Sequence, residues 1–114
     1  MEDINILFGN WLNSILKDFK IDSNAYCFNI YKEKAHCVYA LELTAFAEYD
    51  EKDDDWACEG EELYASRNEN HVFVFYVEGG WKNCLHLVGS LIEEYLKNGK
   101  YSSLLKNSQA VAFG

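Results

Sequence analysis

The 114-residue chain has no proline, no internal repeat and no low-complexity stretch, so nothing in it reads as a linker between domains. No run approaches the roughly 18 apolar residues that a membrane span needs. Cations are scarce. Ten Lys and Arg stand against nineteen Asp and Glu, a formal net charge of −9, which argues against binding phosphate backbones or anionic lipid. The four cysteines, Cys27, Cys37, Cys58 and Cys84, form no C-x-x-C pair. Met1 is followed at once by Glu2 and Asp3, the wrong charge for a secretory signal. The expected compartment is therefore the cytoplasm, and the thiols read as small, reduced, buried hydrophobes. No Ser elbow, Gly-rich phosphate loop or H-E-x-x-H is present.

What the chain has is apolar surface, and acid concentrated in one place. Hydrophobic residues make up 49% and aromatics 16%, enough for a single core and too much for disorder. The length suits one domain, 1–114. Between Glu48 and Glu62 lie nine of the nineteen acids, including Asp53-Asp54-Asp55, against the lone Lys52. Well-patterned segments flank this stretch, so it reads as a surface loop and not a tail. A field of that sign attracts cationic protein surfaces and divalent metals.

Periodicity sets the elements. Ile4, Leu7, Phe8, Trp11, Leu12, Ile15, Leu16 and Phe19 form one apolar helical stripe, with Glu2 and Asp3 at its start and Lys17 and Lys20 near its end. A turn at Asp22, Ser23 and Asn24 follows. From Ala25 the period becomes two: Tyr26, Phe28 and Ile30 alternate with Cys27, Asn29 and Tyr31, up to the turn Lys32-Glu33-Lys34. A second strand over about 36–46 completes an antiparallel hairpin. Cys37, Tyr39, Leu41 and Leu43 fall on one of its faces, and Val38, Ala40, Glu42 and Thr44 on a partly exposed one. Leu63 and Tyr64 suit a short strand. Positions 72–77, apolar throughout, suit a central strand covered on both faces. Trp81, Cys84, Leu85, Val88, Leu91, Ile92, Tyr95 and Leu96 mark a helix over 81–98, with Gly99 as a left-handed stop. A short helical turn near 101–106 and a strand over 110–113 close the chain. The fold class is α+β, order α-β-β-(β)-β-α-β, with a mostly antiparallel sheet of four to five strands and two amphipathic helices.

Residue spacing limits the chemistry available to the chain. An EF-hand frame starting at Asp53 puts Ala57 at the fifth position and Cys58 at the sixth, and a frame starting at Asp50 puts Lys52 at the third; both fail. For zinc, His36-Cys37 would diverge on a strand and Cys84-x-His86 on a helix. Cys37 and Cys84 fall on core faces in a negative chain, a poor setting for a thiolate. No catalytic, metal or cofactor residues are assigned, and the expected class is not an enzyme. Asp50, Glu51, Asp53, Asp54, Asp55, Glu59, Glu61 and Glu62 are the candidate binding patch. Trp56, with Ala57 and Cys58, is read as dipping into the core to pin the loop, the alternative being a binding anchor. Asn29, Tyr31 and Tyr39 read as strand decoration that could dress a sheet face.

Phe28-Asn29-Ile30-Tyr31, Leu41-Glu42-Leu43-Thr44 and above all Asp53-Asp54-Asp55-Trp56-Ala57-Cys58 carry a resemblance. So do the helix end Leu91-Ile92-Glu93-Glu94-Tyr95-Leu96-Lys97-Asn98-Gly99 and the closing Ala110-Val111-Ala112-Phe113-Gly114. Over roughly 26–114 the chain resembles the small acidic immunity proteins of bacterial polymorphic toxin and contact-dependent growth inhibition systems. The resemblance implies direct binding to, and neutralisation of, a cognate toxin domain. Many such toxins are nucleases, whose active sites are basic because they hold phosphate. The expected partner is thus a basic toxin domain and neither nucleic acid nor membrane, bound by a chain that is monomeric beforehand. The competing reading is a small enzyme or divalent-metal domain using the carboxylates of 48–62.

Overall fold

The computed structural model describes residues 3–17, 19, 23–47 and 62–114. Its first helix, α1 (Ile4–Leu16), begins where Asp3 turns extended and its Oδ1 accepts the Asn5 N–H at 2.8 Å. That bond satisfies one orphan donor of the first turn. Phe8, Leu12, Ile15 and Leu16 are buried, whereas Leu7, expected in the stripe, lies exposed beside Ile6. Phe19 lies beyond the helix, its ring near those of Tyr26 and Tyr64.

Strands β1 (Ala25–Lys32) and β2 (Val38–Phe46) form the expected hairpin, with Phe28 opposite Leu43 and Asn29 opposite Glu42. Cys37, expected within the second strand, sits instead in the turn with a left-handed φ of 60°. The chain then returns along the far side of β2 in two pieces. β3 (Glu62–Ala65) pairs with its second half and β4 (Phe73–Tyr76) with its first. A 3-10 turn (Ser66–Glu69) separates them and closes on Asn70, which adopts a left-handed φ of 59°. The central strand is therefore β2 and not 72–77. Among the described residues β4 pairs on one side only, and its Val74 and Tyr76 are each 56% exposed.

Helix α2 (Trp81–Asn98) follows the glycine pair Gly79 and Gly80, both at positive φ. β2 runs antiparallel to both β1 and β4, so β4 points the same way as β1. After the helical crossover, and the short α3 (Ser102–Lys106), strand β5 (Ala110–Phe113) enters in that direction and pairs parallel to β1. The sheet remains mostly antiparallel, in the order β3-β2-β1-β5 with β4 also on β2. Gly99 ends α2 with φ −70°, not left-handed as expected. Its role is steric: a Cβ there would lie 2.6 Å from the Tyr95 carbonyl oxygen.

Helices α1 and α2 pack on one face of the sheet. Phe8 is the hub, its ring 6.1 Å from Phe28, 5.8 Å from Phe73 and 6.3 Å from Tyr95. Around it close Leu12, Leu41, Leu43, Val88 and Leu91, all fully buried or nearly so. Each such side chain contributes about 1.5–3 kcal/mol by leaving water. Of the other core residues expected, Phe75 and Ile92 are buried, while Trp11 and Leu85 are half-buried against the cluster. Cys27, Cys37 and Cys84 are buried. Among the described residues no helix is long and apolar enough to cross a membrane.

Candidate binding face

The sheet's other face is built from the alternate residues. Ala25, Cys27 and Phe46 make a small apolar cluster at one end, packed by Ala110 and Ala112. At the opposite end Tyr31 lies beside Ala40, Ala40 beside Val74, and Val38 beside Tyr76. Tyr31 is 46% exposed there. Tyr39 belongs to the helix-covered face, where it is buried and stacks on Phe75, so it does not dress this surface.

Between the two ends lies Glu42, which is fully buried, as is Thr44, with Ala40 nearly so. The sequence suggested partial exposure; the difference is made by donors gathered around one carboxylate. Glu42 Oε1 accepts from Asn29 Nδ2 at 3.0 Å, from the Tyr31 hydroxyl at 2.5 Å and from Arg67 Nη1 at 2.7 Å. The same Nη1 lies 2.8 Å from Oε2. Asn29 also accepts from the Cys27 thiol and approaches Thr44 Oγ1, which donates to the Cys27 carbonyl at 2.8 Å. A buried carboxylate is tolerable only when so supplied.

The interruption between β3 and β4 makes this possible. Leu43, which has no ladder partner there, donates its N–H to Ser66 Oγ at 2.9 Å. The 3-10 turn then lifts Arg67, the chain's one arginine, onto Glu42. Burial pushes the Glu42 carboxyl up, but the hydrogen bonds from Tyr31, Arg67 and Asn29 and the guanidinium charge outweigh it, leaving the group below the ordinary carboxylate range. Burial, then the bond to Glu42 and its charge, push the Tyr31 phenol up to about 12.

Chemically, the cluster is a brace. With its oxygens engaged, Glu42 is poorly placed as an acid or base for a bound molecule. It instead fixes the rotamers of Tyr31 and of Arg67, whose side chain is still 47% exposed. At the turn end of the hairpin, a separate hollow of about 340 Å³ is lined by Lys32, His36, Cys37, Tyr39, Tyr76 and Glu78.

Of the acids proposed from sequence, Asp50, Glu51, Asp53, Asp54, Asp55, Glu59 and Glu61 lie outside the described residues, as do Trp56, Ala57 and Cys58. Glu62 is described. It is exposed, opposite Phe46 in the ladder, and its Oε1 is 3.5 Å from Arg67 Nη2. The acidic segment thus rejoins the sheet beside the Glu42 cluster. Sequence reasoning passed over Glu42, Ser66, Arg67, Val74 and Tyr76 as members of a site. A lone acid in an apolar alternation and a solitary arginine were the available signals. Among the described residues no three His, Cys, Asp or Glu side chains gather as a metal site. No family model, no curated protein and no solved structure matches the chain.

Proposed function

We propose that this chain is an immunity-type protein of the cytoplasm that binds and neutralises a basic, nuclease-like toxin domain by direct contact. The acidic segment supplies long-range attraction, which raises association rate more than affinity. The sheet face beside it supplies the grip. The observation that carries this reading is the Glu42 brace, which holds Tyr31 and Arg67 at the surface next to exposed Val74 and Tyr76. Tyr and Arg are the residue types that dominate interface energetics, and ordering them beforehand lowers the entropic cost of binding. Glu62, salt-linked to Arg67, joins the steering segment to the gripping face.

The test is neutralisation. The C-terminal domain of a toxin-like reading frame encoded immediately beside this one is expressed with the wild-type chain or with Tyr31→Ala/Tyr76→Ala. Growth restored by the wild type and lost with a folded double variant supports the reading. Failure of the wild type to restore growth, with both proteins soluble, rejects it.

A further inference from the structure

The two edges of the sheet are built differently. The β3/β4 edge is broken by the 3-10 turn, carries a register shift between Ala45 and Phe46, and bears Glu62, Arg67 and Glu69. Interruption, bulging and charge are the usual protections against strand addition. The β5 edge has none of them. Its sequence, Ala110-Val111-Ala112-Phe113, holds no charge, no proline and no bulge. Among the described residues no strand lies outside it.

The hydrogen-bond pattern says which groups are open. Gly114 donates to the Phe28 carbonyl and accepts from the Ile30 N–H, at 3.1 and 3.0 Å. By the alternation of a strand, Ala112 faces β1 as Gly114 does, and the N–H and C=O of Val111 and Phe113 point away from it. Phe113, whose ring rests over Gly89, is 44% exposed.

We infer that this edge pairs with the same edge of a second copy of the chain, antiparallel about a two-fold axis through Ala112. In that register Val111 lies opposite Phe113 of the second copy, and each such pair exchanges N–H···O bonds in both directions. Ala112 meets its own copy at the closer, non-hydrogen-bonded position, which small side chains suit. Each Phe113 gains cover from a Val111. Charge does not oppose the approach: β5 itself is uncharged, and from Tyr95 to Gly114 the chain has no acid in a molecule of net −9. The joined sheet sends the two acidic β3 edges to its opposite ends, the arrangement that least opposes dimerisation and leaves both acidic edges free. A four-residue strand makes the association weak, so the chain is monomeric when dilute.

The test is sedimentation velocity from micromolar to millimolar protein, together with amide exchange by NMR. Val111→Pro removes an outward N–H and leaves the bonds to β1 intact. The wild-type mass rises toward that of two chains with concentration, while Val111→Pro stays at one. The Val111 and Phe113 amides become protected on the same concentration scale, whereas those of Ala112 and Gly114 are protected throughout. A wild type that stays monomeric, dimerisation undiminished in Val111→Pro, or Val111 and Phe113 exchange independent of concentration would each overturn the inference. Should Val111→Pro fail to fold, exchange in the wild type still decides.

Discussion

Arg67 Nη1 meets Glu42 Oε1 at 2.7 Å across the break between β3 and β4, joining an exposed cation to a carboxylate with no solvent contact of its own. The pair turns an interruption in the sheet edge into a fixed surface feature. It also links three elements that the chain delivers separately: the centre of β2, the 3-10 turn and, through Glu62, the return of the acidic segment.

Removing the cation should expose the cost of burying Glu42. Arg67→Gln is expected to destabilise by about 1–3 kcal/mol, less than a fully buried pair because the guanidinium is half in solvent. The pH dependence follows from the depressed carboxyl. Its stabilisation is complete above the ordinary value of 4.5 and is lost as pH falls through the lower folded value. Urea melts between pH 7 and 2 check this. The wild type loses stability more steeply below 4.5 than Glu42→Gln does, and equal acid limbs would show that Glu42 is not the coupled group.

The same cluster predicts an alkaline signature. Tyr31 is pushed up to about 12 by burial and by Glu42, so its neutral form contributes stability fully present below 10 and lost as pH rises through 12. Tyr64, half-buried and bonded to Glu69, and Tyr76, bonded to Glu78, are likewise raised to about 12. Ultraviolet titration of the folded protein should show a group of late phenols, one fewer in Tyr31→Phe. Glu42→Gln should move one of them earlier. A late group unchanged by either substitution would place Tyr31 outside the cluster.

Two glycines should respond with opposite signs. A Cβ at Gly9, in the middle of α1, meets nothing within 4 Å, so Gly9→Ala should stabilise by about 0.5–1 kcal/mol through helix propensity. At Gly99 the new Cβ would meet the Tyr95 carbonyl at 2.6 Å, so Gly99→Ala should cost about 1–3 kcal/mol. Thermal melts of the two variants report the signs directly.

How much was legible in the sequence depended on how local the cause was. The helix Trp81–Asn98 is written in one local pattern and its bounds follow from it, although Trp81, counted in the stripe, is exposed. The alternation Tyr26, Phe28, Ile30 gave the hairpin and its core face. Val74 and Tyr76 misled because an apolar side chain does not reveal whether its strand lies at the centre or the edge of a sheet. That depends on β3 and β4 sharing one side of β2. Glu42 was assigned to the correct face, but its burial depends on Arg67, 25 residues away, and on a break that only the paired sheet reveals. Parallel entry of β5 likewise follows from the crossover and not from its four residues. The acidic patch was the clearest feature of the sequence, and of it the described structure carries Glu62 alone.

In the proposed function, steering and grip reside in adjacent but separate features. Association and dissociation rates against the purified toxin domain, at low and high salt, separate them. Asp53→Lys/Asp54→Lys/Asp55→Lys should slow association and reverse its salt dependence while the melting curve stays put, because long-range charge acts on encounter. Tyr31→Ala should leave association nearly unchanged and speed dissociation, losing about 2 kcal/mol, the size expected of an interface hot spot. Unchanged rates in both variants, with the fold intact, would contradict the account and move the binding surface off this side of the sheet.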